Sequence, residues 1–492
     1  MTNMAESEET IKKSSEEKHA PWGKQAAGRL EELGHAPVGK LLWKYSLPAV
    51  VGTVVSAIYN IIDSIVIGHA IDDPNVVSGI AVTFPVMMIV GALGMLIGAG
   101  AATRVSIVLG QNDLRAAEMI LGNCVQLTVI IGLAYASTFA IFIDPILRAF
   151  GASDNSLPYA REFMLWVLPG MVLQNITFSY NNVMRSSGYP AKAMYTNIIG
   201  AVINAILAPL FLFGFKCGIR GASIATDIAM TVTAVWVMSH FFQKNNTLHF
   251  VRGTFRLRWD IIRSVLYIGM APFLINVTGS LVNAIVNNTL LRYGGDNAIA
   301  AVVVFNRYVT IFVFVIIGIC QGMQPIVGYN YGSGRYHRLF RAFTYAAIAG
   351  VVVSSLGSLF GALNPRHIAM LFMQDEEQIE CAVNCLRITT LLLDGRPYSQ
   401  LASAKLAINR KKTFLGESKL SFLRGLRFIL CWILRMKASD KVEKSVPLGI
   451  YCRISLFAFS IAPFCHEEYG SAKNTRFGFL VPFGAKAFDI IL

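Results

Sequence analysis

A single carboxylate interrupts an apolar segment near the start of the chain. The sequence YNIIDSIVIG places Asp63 inside a stretch from Tyr45 to Ala70 that is otherwise mostly apolar or small. An ionised carboxylate near the centre of a membrane helix costs about 2.5 to 3.5 kcal/mol, so such a group faces a bundle interior or water and has a partner. There it can bind and release a cation or a proton. We therefore take Asp63 as the first candidate functional residue. The alternative is that its carboxylate is only a buried hydrogen-bond acceptor that holds helices together.

Other polar residues in apolar segments could share a site with Asp63. Asn60 lies one turn earlier on the same helix face, and Asn204 belongs to a later apolar segment. Asp227 lies well inside the sixth apolar segment. Arg307 lies inside the eighth, where it could balance a buried carboxylate or face a water-filled cleft. The residues alone do not choose between these two roles.

Composition sets the class of protein. Of 492 residues, 54% are hydrophobic and 15% charged, and the mean hydropathy is +0.53. That leaves too little polar surface for a soluble globule, and runs of about 20 apolar residues are long enough to cross a hydrocarbon core of ~30 Å. The sequence predicts an all-α polytopic membrane protein with spans at roughly 45–70, 78–103, 119–147, 160–184, 191–213, 219–243, 261–290, 297–325, 341–363 and 377–393.

Basic residues in the short loops predict the orientation, because loops rich in Lys and Arg remain in the cytoplasm. The rich set of loops carries Arg115, Arg185, Lys192, Lys244, Arg252, Arg256, Arg258, Arg263, Arg335, Arg338 and Arg341, and the poor set carries Arg148, Lys216, Arg220, Arg292 and Arg366. The first forty residues are charged and contain no apolar signal-peptide region. We expect them to form a mobile, polar cytoplasmic tail.

The residues also exclude several function classes. The net charge of +14 lies at membrane ends and in the last hundred residues rather than on a patch interleaved with aromatic side chains, so we expect no nucleic-acid partner. The H-E-x-x-H, G-x-S-x-G and Walker motifs do not occur, so we predict neither an enzyme nor a cofactor. The eight cysteines form no C-x-x-C pair; Cys381 and Cys385 share a helical face but lack further zinc ligands nearby.

The chain repeats itself at an offset of about 220 residues. LPAVVGTVVSAIYNIIDSIV aligns with MAPFLINVTGSLVNAIVNNTLL, which pairs Pro48 with Pro272 and Asp63 with Asn287, and SIVLGQND aligns with PIVGYNYGSG. Such a repeat predicts two helical bundles, related by an axis along the membrane normal, with a central cleft between them. The domains are then a tail (1–40), an N-lobe of six spans (41–243), an inter-lobe loop (244–260) and a C-lobe of about four spans (261–393).

Three stretches in this order resemble the multidrug and toxic compound extrusion (MATE) family, particularly its bacterial DinF-like branch. They are LPAVVGTVVSAIYNIIDSIVIG, NNVMRSSGYPAKAMYTNIIGAVINAILAPLFLFGFKCGIRGASIATDIA and GICQGMQPIVGYNYGSGRYHR, and the resemblance covers about residues 41–393. It implies a transporter of twelve helices in two lobes that exchanges Na⁺ or H⁺ for cationic or amphipathic compounds by alternating access. We expect a monomer in the bacterial cytoplasmic (inner) membrane, with lipid and small compounds as its partners.

The resemblance also suggests residues for ion coupling. The first helix of that branch carries an aspartate essential to cation coupling, and Asp63 matches it. Asn204 and Thr226 match an N-x-x-L-D-P and a G-A-x-x-A-T pattern, but the aspartate position of the former is Ala208 here. The implied Na⁺ ligands are Asp63, Asn204 and Thr226, with Asn60 beside them. Asp227 is a candidate substitute carboxylate, although it points about 100° away from Thr226 on an ideal helix.

Soft and flat side chains suit a cleft that accommodates varied cations. The candidates are Phe84, Met87, Met88, Phe178, Tyr180, Met270 and Phe273, and the polar C-lobe residues expected at the cleft are Asn287, Arg307 and Gln321. The alternative function is a lipid-linked saccharide flippase of the same superfamily, which would be expected to line its cavity with several Arg or Lys for pyrophosphate. Arg307 keeps that alternative open.

The sequence changes character after Leu393. Residues 394–492 carry more than half of the net charge of +14 and do not continue the family pattern, which should supply two more spans. A divergent natural C-terminus and translation out of frame are both open. We favour the second, because back-translating residues 394–397 with chosen codons and reading one nucleotide later gives Thr-Val-Gly-Leu, which resembles the usual continuation. We expect an incomplete second lobe and poor order from about residue 394.

Overall fold

The structure is a computed structural model that describes residues 24–70, 74–215, 218–243, 246–251, 253–370 and 376–390. Inside the helices, the side chains of 24–27, 60–61, 63–70, 74–78, 81, 219, 281–303, 377 and 388–390 lie outside the described set. That set therefore excludes the side chains of Asn60, Asp63 and Asn287, and also the whole segment 394–492 for which we expected poor order.

Helices account for every regular element of the described residues, as the apolar segments predict. They are α1 (Lys24–His35), α2 (Val38–Ala70), α3 (Pro74–Gly110), α4 (Leu114–Ala149), α5 (Leu157–Ser186), α6 (Pro190–Pro209), a π-helical turn (Leu210–Gly214), α7 (Gly218–Phe242), α8 (Trp259–Gly332), α9 (Tyr336–Leu363), α10 (Pro365–Met370) and α11 (Glu376–Thr390). Within the described ranges, eight segments are long and apolar enough to cross a membrane.

The fifth helix is a predicted span that is not among those eight. It is more polar because its neighbours are protein: α5 packs against α3, α4, α6 and α7. Its Asn175, Asn181, Asn182 and Arg185 are all at most 5% exposed. A helix surrounded by other helices needs no apolar face toward lipid, so hydropathy alone underestimates it.

The eighth helix contains both of the predicted spans 261–290 and 297–325, and helical backbone continues between them. Helical geometry continues over 74 residues, which would measure about 111 Å if straight. Yet Val265 and Gly328 contact Gly100 and Ser106, two positions of α3 that are only about 9 Å apart along its axis. The element therefore runs out and back, with a first arm (259–280) and a second arm (304–332) that both pack on α3.

Several turns meet at one end of the bundle, which we call the basic end because it carries Arg115, Lys192, Arg335 and Arg338. A Cβ at Gly110, where α3 ends, would overlap the Tyr329 carbonyl of α8. The turns there use left-handed backbone at Asn112 (φ 64°), Gly188 (φ 97°) and Gly334 (φ 73°), which a β-branched residue could not adopt without strain. The two repeat-related turns, α3–α4 and α8–α9, thus lie side by side.

The N-terminal tail is shorter than predicted. Residues from Lys24 onward form α1, whose Leu30 and Leu33 are 2% and 0% exposed in the main core cluster. Their spacing of three residues places both on one helical face. The prediction of a mobile tail up to residue 40 is therefore wrong for residues 28–40, because an amphipathic turn packs against the bundle.

The two lobes meet through backbone-close contacts in the half of the molecule near the basic end. A Cβ at Gly269 of the first arm would overlap the Leu96 carbonyl oxygen of α3, so only glycine allows this approach. Four further glycines make similar contacts with backbone, namely Gly100 with Val265, Gly318 with Val50, Gly322 with Ser46 and Gly332 with Ile107, and Gly328 packs on the side chain of Ser106. Gln324 adds a 3.1 Å hydrogen bond from Nε2 to the Ala99 carbonyl.

Beyond Met95 the lobes diverge. Among the described residues, a Cβ at Gly91 of α3 or at Gly279 of α8 would meet nothing within 4 Å. Phe84 and Met88 on the same part of α3 are 57% and 47% exposed. A cleft between the lobes therefore opens toward the end opposite the basic end.

Candidate functional site

The N-lobe contains a polar pair between α6 and α7, beyond the midpoint of α6. Asn204 is 2% exposed, and its Nδ2 donates a 3.1 Å hydrogen bond to the hydroxyl of Thr226. The Thr226 hydroxyl in turn donates to the Ala222 carbonyl one turn earlier, at 3.0 Å. These are two of the residues that the motifs single out, and the structure brings them together.

The helix that carries Asp63 lies beside this pair. A Cβ at Gly52 would lie 2.7 Å from Nδ2 of Asn197, so α2 and α6 are in register at these two residues. Both helices run away from the basic end, which places residue 59 level with Asn204 and residue 63 about 6 Å further on. On an ideal helix, residues 52 and 63 differ by about 20° in direction. Ideal helical geometry therefore leads us to expect position 63 on the face of α2 that carries Gly52.

The candidate substitute carboxylate lies elsewhere. Asp227 packs against α5, where a Cβ at Gly170 would overlap its Oδ1, while its neighbour Thr226 bonds Asn204 on α6. The angle of about 100° between successive helical residues explains why the two side chains meet different helices. The structure therefore does not bring Asp227 to the Asn204–Thr226 pair.

Further asparagines extend the polar interior of the N-lobe, and the sequence analysis did not single them out. Asn181 of α5 donates to the Ala193 carbonyl at 3.1 Å and to Oδ1 of Asn197 at 3.4 Å. Asn197 is two turns before Asn204 on the same face of α6, so a row of amides leads from the basic end toward the polar pair. Their sequence signal is the one that identified Asp63, a polar residue within an apolar run.

The polar C-lobe candidates lie in the other half of the molecule. Arg307 is exposed on the second arm of α8. Gln321 is half-buried on the same arm, between Gly318 and Gly322, which both pack on α2. The structure therefore brings neither residue to the Asn204–Thr226 pair, and the side chain of Asn287 lies outside the described set.

The soft and aromatic candidates differ in exposure, and four of them are half-buried: Met87, Phe178, Met270 and Phe273. Phe84 and Met88 are exposed where the lobes diverge, as a cleft wall requires. Tyr180 is fully buried inside the N-lobe, donates its hydroxyl to the Leu121 carbonyl at 2.8 Å, and meets Phe241 edge-to-face with centroids 5.3 Å apart. Tyr180 is therefore a packing residue, and its prediction as a cleft residue is wrong.

A second polar region lies at the opposite end of the N-lobe. Asp144 pairs with Arg161 at 3.5 Å, and Glu162 pairs with Arg220, around a cavity of about 380 Å³ that Trp166 also lines. Its charges are already balanced by one another. In the part of the chain that the structure describes, no group of three or more His, Cys, Asp or Glu could hold a metal ion.

One protein-family model matches two separate parts of the chain. The MatE family model covers residues 48–210 and again 272–408. The two matches begin at Pro48 and Pro272, the pair that the internal repeat aligns. The second match is shorter than the first and ends within the segment that follows Leu393.

Individual relatives agree with this match. The chain is 26% identical to the multidrug export protein MepA of Staphylococcus aureus (strain NCTC 8325 / PS 47) over 364 residues, or 73% of this chain and 80% of that protein. MepA of Staphylococcus haemolyticus (strain JCSC1435) is 26% identical over 358 residues, 72% and 78% of the two chains.

Solved structures share the fold. The outward-facing conformation of a multidrug resistance MATE family transporter of the MOP superfamily superposes with a TM-score of 0.75 at 21% identity, over 88% of this chain and 95% of that chain. A MOP superfamily transporter from Pyrococcus furiosus Vc1 (DSM3638) superposes with a TM-score of 0.76 at 21% identity, over 92% and 100%.

Proposed function

The chain belongs to the MATE family of membrane transporters, and on this premise we propose that it exports drugs and other toxic small molecules from a bacterial cell. Family membership makes it a transporter rather than an enzyme. The MepA relatives, which are multidrug export proteins, support efflux of chemically varied compounds. In this proposal, export is coupled to Na⁺ or H⁺ without a resident cofactor, and the substrates are cationic or amphipathic. The protein works as a monomer in the cytoplasmic (inner) membrane.

The observation that carries a transport mechanism is the asymmetry of the lobe interface. Near the basic end the lobes touch at backbone distance through Gly269 and Gly332, whereas a Cβ at Gly91 or Gly279 would meet no described residue within 4 Å. Two rigid bundles that meet at one end and part at the other form a cleft open to one side of the membrane. Rocking of one bundle against the other would then expose the same cleft to the other side.

The basic end is the cytoplasmic one in this proposal. Arg115, Lys192, Arg335 and Arg338 lie in its turns, and the positive-inside rule assigns such turns to the cytoplasm. The N-terminus is then cytoplasmic too. The described arrangement, closed at the basic end, is accordingly the outward-facing state of the transport cycle.

Ion coupling rests on Asp63 together with Asn204 and Thr226, with Asn60 as a neighbour. The register of α2 on α6 at Gly52 and Asn197 supports this set, since an ideal helix would carry position 63 on the face of Gly52, about one turn beyond the level of Asn204. A Na⁺ ion would take oxygen ligands from the carboxylate, the amide and the hydroxyl, and a proton would bind the carboxylate alone. A potential of 100 mV supplies about 2.3 kcal/mol for each charge that crosses.

Asp227 has a different part in this proposal. Because its carboxylate packs against Gly170 on α5, it does not replace the carboxylate that is missing at Ala208. With one carboxylate at the pair, the site binds a single cation or proton per cycle. Drug molecules would lie against Phe84 and Met88, whose soft surfaces adapt to different cations.

A lipid-linked saccharide flippase is the second candidate function. One observation favours it: Arg307 is exposed on the second arm, where a guanidinium could contact a pyrophosphate. The three N-lobe residues matched to ion coupling favour export of cations, so the flippase comes second. In both candidate functions, drug export and lipid flipping, Arg307 is proposed to face the cleft.

The test is transport by the full chain in everted membrane vesicles. Vesicles that contain the chain should accumulate a fluorescent organic cation when a proton or sodium gradient is imposed, and vesicles from cells that lack it should not. A lipid-linked saccharide carrying a fluorophore serves as the second substrate. Movement of the lipid with no uptake of the cation would replace export with the flippase.

A further inference from the structure

The short helix α1 contacts both lobes at the basic end. It enters the main core cluster through Leu30 and Leu33, which are 2% and 0% exposed. Only residues 36–37 separate it from α2, so it is tethered to the N-lobe. Its other contacts divide between the two lobes.

The contacts with the N-lobe involve its charged side chains. The guanidinium of Arg29 lies 4.2 Å from the ring centroid of Tyr189, in the α5–α6 turn, and Glu32 pairs with Lys44 of α2 at 2.6 Å. A cation over an aromatic face contributes about 0.5 to 2 kcal/mol, depending on how far it is desolvated. These contacts hold α1 on the N-lobe along its length.

The contacts with the C-lobe involve the backbone at the end of α1. The last carbonyls of a helix have no partner within it, and they form the negative end of its dipole. Here the C-lobe supplies the partners: Asn330 Nδ2 donates to the Leu33 carbonyl at 3.1 Å, and Arg335 Nη1 donates to the Gly34 carbonyl at 2.6 Å. Two residues of α8 and its following turn thus cap the helix.

A second arginine completes this cap. Arg338 Nη2 donates to the Ala36 carbonyl at 2.5 Å, and its Nε donates to Oδ1 of Asn330 at 3.1 Å. Arg335 also reaches Nε2 of His35 at 3.2 Å, while Nδ1 of His35 lies 3.2 Å from the Glu31 carbonyl. Since a carbonyl can only accept, His35 donates from Nδ1 and accepts from Arg335 at Nε2.

These caps lie beside the closest approach of the lobes. Gly332, which packs on Ile107 of α3, is three residues before Arg335. The basic end cannot open without separating α3 from this part of α8. Because α1 is tethered to the N-lobe, its bonds to Asn330, Arg335 and Arg338 must break in the same movement.

We propose that α1 is a strap across the lobes, which stabilises closure of the basic end and releases the C-lobe when that end opens. The inference rests on the alternating access of the proposed function. Its chemical basis is the set of guanidinium and amide caps on the carbonyls of Leu33, Gly34 and Ala36. Loss of the caps shifts the population toward the state that is open at the basic end.

The test is amide hydrogen exchange of the full chain in lipid nanodiscs, with neither substrate nor gradient present. The double variant Arg335→Ala/Arg338→Ala removes the charged caps. Amides of residues 28–36, 107–113 and 328–334 should exchange about tenfold faster than in the unaltered chain, the ratio expected from one charge-assisted hydrogen bond. Amides of residues 160–170, at the end of the N-lobe opposite the basic end, should be unchanged.

Arg341→Ala is the matched control, since Arg341 is an exposed arginine one turn further along α9. It should leave all four regions as they are. If the double variant does not fold, the single variants Arg335→Lys and Arg338→Gln, which keep a long polar side chain at each position, should give a smaller increase in the same amides. Equal exchange in the cap variants, the control and the unaltered chain would overturn the strap.

The outcome is separate from that of the transport assay. Faster exchange at the basic end in a chain that transports nothing would leave the strap in place and remove the proposed function. If the unaltered chain transports the cation but the amide exchange of its cap variants equals that of Arg341→Ala, the proposed function would remain and the strap would be overturned.

Discussion

The amide of Asn204 donates a 3.1 Å hydrogen bond to the hydroxyl of Thr226 and so joins α6 to α7 inside the N-lobe. Asn204 is 2% exposed, which leaves its amide dependent on protein partners. The pair is therefore a structural link, and in the proposed function it also supplies oxygen atoms to a bound cation. Substitutions that keep the shape but change the chemistry should separate these two roles.

Thr226→Val keeps the volume and removes the hydroxyl. A buried donor left without its partner costs about 1 to 3 kcal/mol, so thermal unfolding in detergent should begin several degrees lower. Ion-driven export should fall as well, because an oxygen ligand is lost. Thr226→Ser retains the hydroxyl and is the matched control. If Val and Ser variants unfold at one temperature and export equally, the hydrogen bond has neither role.

Gly269→Ala adds a Cβ where the Leu96 carbonyl of α3 already lies. Overpacking of this kind typically costs about 1 to 3 kcal/mol, so closure of the basic end should weaken and initial export rates should fall about tenfold. In Gly279→Ala, ten residues further along the same helix, the added Cβ meets no residue of the described set within 4 Å, so this variant should export normally. Export rates of the two variants in everted vesicles check the contact. Equal rates would contradict a glycine-dependent interface.

Asp227→Asn tests the separation of Asp227 from the polar pair. The side chain packs on Gly170 of α5, and asparagine has nearly the same shape, so ion-driven export should stay above about half of the original rate. Gly170→Ala, which forces the carboxylate away, should lower both stability and export. Complete loss of ion coupling in Asp227→Asn would instead make this residue the substitute carboxylate.

Much of the fold could be predicted from local sequence. The spans follow from apolar runs of sufficient length, and the direction of Asp227 follows from its position next to Thr226 on a helix. The repeat also anticipated that the turns after α3 and α8 are equivalent. These features depend on residues close in sequence, or on one comparison of the chain with itself.

Other features could not be predicted, because they depend on distant neighbours. Hydropathy cannot show that α5 is enclosed by protein or that Tyr180 is buried in the N-lobe. Nor can it show that Gly269 lies against Leu96, because the sequence does not distinguish a glycine at a close helix contact from one without close neighbours. The packing of α1 was missed for a similar reason: two leucines in a charged segment give a weak signal until the lobes that bury them are known.

The end of the chain leads to a prediction about its gene. If residues 394–492 are read out of frame, the coding DNA after codon 393 should encode two further apolar spans in another frame. Such spans would complete the C-lobe, whose match to the family model is shorter than that of the N-lobe. Sequencing the coding DNA checks this. A gene with no family-like continuation in any frame would favour a divergent natural C-terminus.

In the proposed function, the charge state of Asp63 couples ion movement to export, and transport in proteoliposomes tests this coupling most directly. Asp63→Asn keeps the shape of the side chain and removes its charge, while Asp154→Asn changes an aspartate that is 84% exposed at the opposite end of the bundle. Under an imposed proton or sodium gradient, the unaltered chain and Asp154→Asn should transport a fluorescent cation at similar rates, and Asp63→Asn should be at least tenfold slower. Gradient-driven transport by Asp63→Asn at the rate of the unaltered chain, with equal protein incorporated, would contradict the account.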